Sequence, residues 1–198
     1  MAQAARRLAT YDDLLALPDH VVGELIHGVL DVQPRPSLPH ARAASRMGDV
    51  LGGPFDRGLG GPGGWIVLDE PELHLGPHVL VPDLAGWRRE RLPEVPETAA
   101  TDVAPNWVAE ILSPSTAAKD RVDKMRLYFE FDVEHVWLVD PSARTLEVFR
   151  REPKGFVLVG SHRDDAVVRA EPFDAIELQL AWLWELSLIH ISEPTRPY

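Results

Sequence analysis

Residues 107–112, WVAEIL, form a nearly continuous apolar run that carries one charge, Glu110. A strand of that composition must be covered on both faces, which is the situation of a central strand in a layered protein. Ser113-Pro114-Ser115-Thr116 then supplies a turn and a helix N-cap, and the spacing predicts a helix over residues 117–131. Its core stripe reads as Val122, Met125 and Phe129, with Arg121, Lys124, Tyr128 and Phe131 on an adjoining face. A second buried strand, HVWLV at residues 135–139, follows directly. Buried strand, helix, buried strand is the order of an α/β or α+β protein, a mixed sheet flanked by helices.

The remaining segments fit that class. Thr10 caps a short helix that ends at Pro18, and residues 21–32 read as two strands around His27-Gly28. Residues 34–39 form a rigid loop before a helix over 40–51, whose apolar residues are Ala41, Ala44, Met47, Val50 and Leu51 and which Gly52-Gly53-Pro54 ends. Residues 58–64 are a glycine-proline turn without the Lys or Ser of a phosphate loop. Strands are expected at 65–68, 73–75 and 79–87, the last running through Pro82-Asp83, and again at 145–150 and 156–159. Residues 88–106 are polar and proline-broken, a long surface loop.

The chain has 198 residues, about one domain, and at 45% hydrophobic with six Trp and six Phe it is no disordered polymer. The absence of cysteine excludes a disulfide framework, a thiol nucleophile and a zinc-thiolate site. No apolar run approaches the ~20 residues that cross a bilayer, and the N-terminus lacks the apolar core of a signal peptide, so a cytoplasmic location is expected. A net charge of −11 argues against bulk attraction to nucleic acid, an objection any nucleic-acid reading has to answer. Residues 186–196, LSLIHISEPTR, look like the translation of a common transposon-end sequencing adaptor, the alternative being a natural C-terminal strand. The expectation is a single domain over residues 1–185 and read-through over 186–198, so His190 carries no functional weight.

Two acids interrupt apolar strands: Asp83 in LVPDLAGW and Glu110 in WVAEIL. A carboxylate in such a place costs several kcal/mol unless it is paired, hydrogen-bonded or bound to a cation. One such acid is ordinarily a structural group satisfied by Arg or backbone; two, with Lys124 on the next helix, make a more specific set. Oxygen donors suit a hard cation, Mg²⁺ or Mn²⁺, which polarises a phosphodiester and acidifies water. For Lys124 the competing explanation is an i,i+4 pair with Asp120. Lys119, at the start of the helix, is expected to face solvent.

The pieces GELIHGVL, EPELHLGPHVLVPDLAGW, WVAEILSPSTAAKDRVDKMRLYFEFDVEHVWLVDPSARTLEVF and PFDAIEL resemble the Uma2 family, described as putative endonucleases, over about residues 10–185. The ordered set from Glu110 through Ser113-Pro114-Ser115-Thr116 to Asp120, Lys124 and Tyr128 is its most specific part. That family is placed in the PD-(D/E)XK, or restriction-endonuclease-like, superfamily. The resemblance implies a mixed sheet flanked by helices, with Asp83 as the PD aspartate and Glu110 as the metal-binding acid of the following strand. It departs from the superfamily pattern at Leu112, where a lysine is usual; in Uma2-like sequences the helix supplies it, and Lys124 is the matching position. Glu24 and Glu70 match acids common in the family and would complete or support the metal shell.

The expected function is therefore a Mg²⁺- or Mn²⁺-dependent endonuclease that hydrolyses DNA, with Asp83, Glu110 and Lys124 catalytic, Asp83 and Glu110 on the metal, and Glu24 and Glu70 in support. The rival is a catalytically degenerate nuclease fold kept as a binding or regulatory module, which the displaced lysine and the acidic charge favour. A homodimer is expected from the need for two cuts and from a tryptophan count above the needs of one core. His40 reads as a capping rather than catalytic residue, and Tyr128 as a helix residue with a bonded hydroxyl. A zinc site on His74 and His78 is disfavoured because the spacing spans Gly76-Pro77. Arg88, Arg89 and Arg91 are the candidate phosphate contacts, against an ordinary solvated surface.

Overall fold

The computed structural model describes residues 7–18, 20–32 and 35–184; residues 186–198, expected to be read-through, lie outside them. In chain order its elements are α1 (Tyr11–Leu15), β1 (Gly23–Ile26), β2 (Val29–Val32), α2 (Leu38–Leu51), β3 (Trp65–Asp69), β4 (Glu72–Leu75), β5 (His78–Leu80) and β6 (Leu84–Arg88). Then come β7 (Ala100–Thr101), β8 (Trp107–Ile111), α3 (Ala117–Lys119), α4 (Met125–Glu130), β9 (His135–Asp140), β10 (Thr145–Glu152), β11 (Gly155–Arg163), β12 (Val167–Val168), β13 (Leu178–Gln179) and α5 (Ala181–Trp184).

The architecture is α+β with mixed sheets flanked by helices. The main sheet has the order β11-β10-β9-β8-β6-β3. Strand β8 lies inside it, buried along its whole length, as its apolar composition requires. It pairs antiparallel with β6 and parallel with β9, and the parallel step is bridged by the helical segment between them. A second sheet, β2-β1-β5-β4-β7, packs as a further layer, and β12 pairs with β13.

Alternation along β8 divides the core. Trp107, Ala109 and Ile111 join α2 and α5 through Met47, Leu51, Trp137, Phe173 and Leu183. Val108 lies on the opposite face, among Leu73 and Leu80 of the second sheet and Leu127 and Tyr128 of α4. Glu110 shares that second face, so its carboxylate is driven into the layer between sheet and helix.

Four expectations change. Residues 79–87 are not one strand: β5 belongs to the second sheet and β6 to the main one, with Val81-Pro82-Asp83 as the passage between them. Pro82 has no N–H to give a ladder, so the chain changes sheets there. The helix over 117–131 is broken by a π turn, Asp120–Lys124, between α3 and α4. The extra residue rotates the stripe, leaving Val122 66% exposed while Asp120, Lys124, Leu127 and Tyr128 turn inward. Likewise α2 begins before His40, with Ser37 at its cap and Pro39 in its first turn, and runs on as a π turn through Gly52–Asp56. The surplus of tryptophan also disappears, because Trp65, Trp87, Trp107, Trp137 and Trp184 are all buried within the one chain and only Trp182 is exposed.

Candidate active site

Strand register sets the site. Leu84 of β6 is opposite Ala109 of β8 and also opposite Asp69 of β3. One step further along each strand, Glu110, Asp83 and Glu70 stand in a row across three neighbouring strands, spaced by the ~4.8 Å interstrand distance. Two bonds lock the row. The Ile111 N–H donates to Asp83 Oδ2 at 2.6 Å, and the Glu70 N–H donates to the Asp83 carbonyl at 3.1 Å. Glu70, just before Pro71, holds a left-handed φ of 46°, a conformation that costs a non-glycine residue roughly 1–3 kcal/mol. All three acids line one cleft of about 540 Å³, together with His20, Arg35 and His40.

The layer behind the row is a charge cluster centred on Lys124. Its Nζ lies 2.8 Å from Glu24 Oε1, 3.1 Å from both oxygens of Glu110 and 3.6 Å from Asp120 Oδ1. Burial alone would push this ammonium down, but Glu110, Glu24 and Asp120 hold it well above the ordinary lysine range. The Tyr128 hydroxyl, itself buried and outside the cleft lining, donates to Glu110 Oε1. Burial pushes the Glu110 carboxyl well above its usual range; Lys124 opposes the shift, while Asp120, Asp83 and Glu24 add to it. Burial likewise raises Asp120.

Against this geometry, the comparisons with known proteins are specific. The family model described as Uma2, putative restriction endonuclease, matches residues 8–182. The chain belongs to the Uma2 family. Among solved structures it is similar to a putative nuclease belonging to DUF820 from Anabaena variabilis, at 23% identity and a TM-score of 0.71, over 88% of this chain and 98% of that one. That likeness shows a shared fold. No curated protein matches the sequence.

The Uma2 chain brings together Asp83, Glu110, Lys124, Glu24 and Glu70, though in two layers. Asp83 and Glu70 face the cleft, while Glu24 is wholly buried, accepting from the Val81 N–H at 3.0 Å and pairing with both lysines. Burial would raise Glu24, and the charges of Lys124 and Lys119 bring it below the usual glutamate range. Lys119 does not face solvent: its Nζ reaches Glu24 Oε2 at 2.7 Å and Asp31 Oδ2 at 2.5 Å, with the side chain 16% exposed. Folding brings β1 and β2 under the helix, and no local pattern announces that. For Lys124 both explanations meet in one side chain, since the pair with Asp120 exists but is the longest of its contacts.

His40 is more than a cap. Its Nε2 lies 3.1 Å from Asp83 Oδ1, so α2 clamps the aspartate from the side opposite Ile111. Burial would lower this imidazole, and the hydrogen bond and charge of Asp83 raise it instead. The signal in sequence was weak, a histidine beside a proline-rich loop. Arg88, Arg89 and Arg91 do not line the cleft, and their side chains engage other parts of the fold. Arg88 stacks 4.7 Å over Trp65, Arg89 pairs with Asp56 at 2.9 Å, and Arg91 reaches Glu134 and the carbonyls of Ala104, Pro105 and Asp132. The histidines at 74 and 78 sit on opposite faces of the second sheet, since Leu75 rather than His74 is opposite His78. His74 binds Glu72 and His78 accepts from the His27 N–H, which removes the zinc arrangement.

Among the described residues, no three His, Asp or Glu side chains form a ready-made metal cage. The donor set nonetheless fits a hard cation. Mg²⁺ is commonly held by one or two carboxylates, with waters and substrate phosphate completing its shell. Asp83 and Glu110 are adjacent, all-oxygen and backed by excess negative charge, the surroundings such an ion neutralises. Among the described residues no helix is long and apolar enough to cross a membrane.

Proposed function

We propose that this Uma2 chain is a Mg²⁺- or Mn²⁺-dependent endonuclease that hydrolyses DNA phosphodiester bonds, within the PD-(D/E)XK superfamily. The observation that carries the reading is the register that aligns Glu70, Asp83 and Glu110 across β3, β6 and β8 on the floor of one cleft. Asp83 and Glu110 would hold the metal, which when bound supplies a Lewis acid for a phosphate oxygen and lowers the pKa of water.

The protein's part is orientation. Ile111 N–H and His40 fix the two oxygens of Asp83, leaving each a free lone pair. Lys124 and Tyr128 fix Glu110. The Lys124 ammonium lies within ion-pair distance of three carboxylates and donates to both oxygens of Glu110, so it would keep its proton and act as a positioning residue through Glu110. Glu70, exposed in the cleft, would accept a proton from an attacking water.

The saturation of Lys124 also favours the second reading, a binding or regulatory module without turnover. Calorimetric titration of Mn²⁺ into wild type and an Asp83→Ala, Glu110→Ala double variant, with nicking of supercoiled plasmid, separates the two. Metal binding and nicking in the wild type, both lost in the variant, support the endonuclease. Metal binding without nicking leaves the module, and no metal binding overturns the metal-dependent reading.

A further inference from the structure

A strand of DNA approaching this cleft meets an acidic floor on a protein of net charge −11. The basic groups lining the cleft fall into two sets. Lys124 is consumed by Glu24, Glu110 and Asp120, and His40 by Asp83. Arg35 and His20 line the same cleft, are exposed, and among the described residues have no hydrogen-bonding or ionic partner. Arg89 and Arg121 are paired with Asp56 and Glu147, and Arg88, stacked on Trp65, does not line the cleft.

The position of Arg35 is tied to the acid row. Two residues on, Ser37 caps α2, its Oγ accepting from the His40 N–H at 3.4 Å. His40 then bonds Asp83, so the stretch from 35 to 40 runs from the rim of the cleft to its floor. A guanidinium that lines a cleft of carboxylates and, among the described residues, bonds to none of them is available to an anion from outside the chain. Its planar fork matches two phosphate oxygens, a geometry an ammonium lacks. A lone small anion gains little there, because the floor repels it. A polymer gains more, placing one phosphate at the floor and a neighbouring one on the rim.

We propose that Arg35 and His20 form a phosphate-binding subsite that holds the DNA backbone beside the scissile position. The proposal rests on the endonuclease reading. It answers the charge objection locally, by a basic rim over an acidic floor.

The test is anisotropy of a fluorescein-labelled 20-bp duplex in Ca²⁺, measured across a salt series for wild type, Arg35→Ala, Arg35→Lys and His20→Ala. Arg35→Ala is expected to weaken binding about tenfold and to reduce the slope of log K against log salt by about 0.9, the loss of one phosphate contact. Arg35→Lys should keep the slope while binding less tightly than wild type, and His20→Ala should weaken binding with less change of slope. Thermal midpoints should not move, since both side chains are exposed. Wild-type affinity and slope in Arg35→Ala overturn the subsite while leaving the endonuclease reading intact. A wild type that binds no duplex defeats the endonuclease reading and this one together. A thermal shift with inorganic phosphate alone, lost in Arg35→Ala, would assign the site to free phosphate and overturn the DNA subsite.

Discussion

Replacing Glu24 by Gln tests whether the layer behind the cleft is held by charge. The carboxylate is 0% exposed and lies 2.8 Å from the Lys124 ammonium and 2.7 Å from that of Lys119. At an effective dielectric of ~20, the gross attraction at such distances is about 6 kcal/mol per pair, most of it offset by the cost of desolvating both ions. Removing one member of a buried pair leaves that cost uncompensated, and the loss is roughly 3–5 kcal/mol. Lys124 keeps Glu110 and Asp120, and Lys119 keeps the half-exposed Asp31, which sets the loss toward the lower end. At roughly 2–4 °C per kcal/mol for a domain of this size, the midpoint should fall by at least about 6 °C at pH 7.

The sign of the pH dependence follows from the depressed Glu24 carboxyl. Its contribution is complete above the ordinary glutamate value and is lost as pH falls through the lower folded-state value. The gap between wild type and Glu24→Gln should therefore be full at pH 7 and narrow below about pH 4. Urea unfolding at several pH values measures it, with Glu177→Gln as a control for an exposed pair worth less than about 1 kcal/mol. A variant as stable as wild type at pH 7, or a gap unchanged on acidification, would refute the charge-cluster account.

Other consequences are simpler to state. Gly76→Ala should cost about 1–2 kcal/mol in urea unfolding, because φ is +60° and the new Cβ would sit 2.9 Å from Phe131 Cζ. Phe173→Ala should cost roughly 3–5 kcal/mol, since this ring meets Phe55, Trp65, Trp107 and Trp137 and nothing nearby can fill its space. Burial lowers His135 despite the nearby carboxylates of Glu171 and Glu134, so the unfolded chain takes up its proton first. The contribution of this histidine to stability should thus be complete above about pH 6.5 and be lost as pH drops below that value. His135→Gln should flatten that slope in unfolding midpoints compared at pH 7.5 and 5.5. Lys119→Met should destabilise by about 1–3 kcal/mol, where a solvent-facing lysine at a helix start would give almost nothing.

Much of this molecule is readable from local pattern, because a strand or a turn answers mainly to its own residues. WVAEIL could only be a covered strand, His27-Gly28 could only be a tight turn between β1 and β2, and both are found so. The two acids that interrupt apolar runs pointed to the cleft for the same reason, since charge in an apolar run demands a partner. What that pattern could not supply was the identity of the partners. Asp83 meets His40, Ile111 and Glu70 through pairings between segments far apart in sequence, and Pro82 places it at a change of sheet rather than inside a strand. The π turn at Asp120–Lys124 decided which helix residues are buried, and one extra residue per turn leaves no trace in a periodicity read at 3.6. Burial of Lys119 and Lys124 depended on a second sheet brought beneath them, a choice made by the whole chain, because the energy of a charge is set by everything around it and not by its neighbours in sequence.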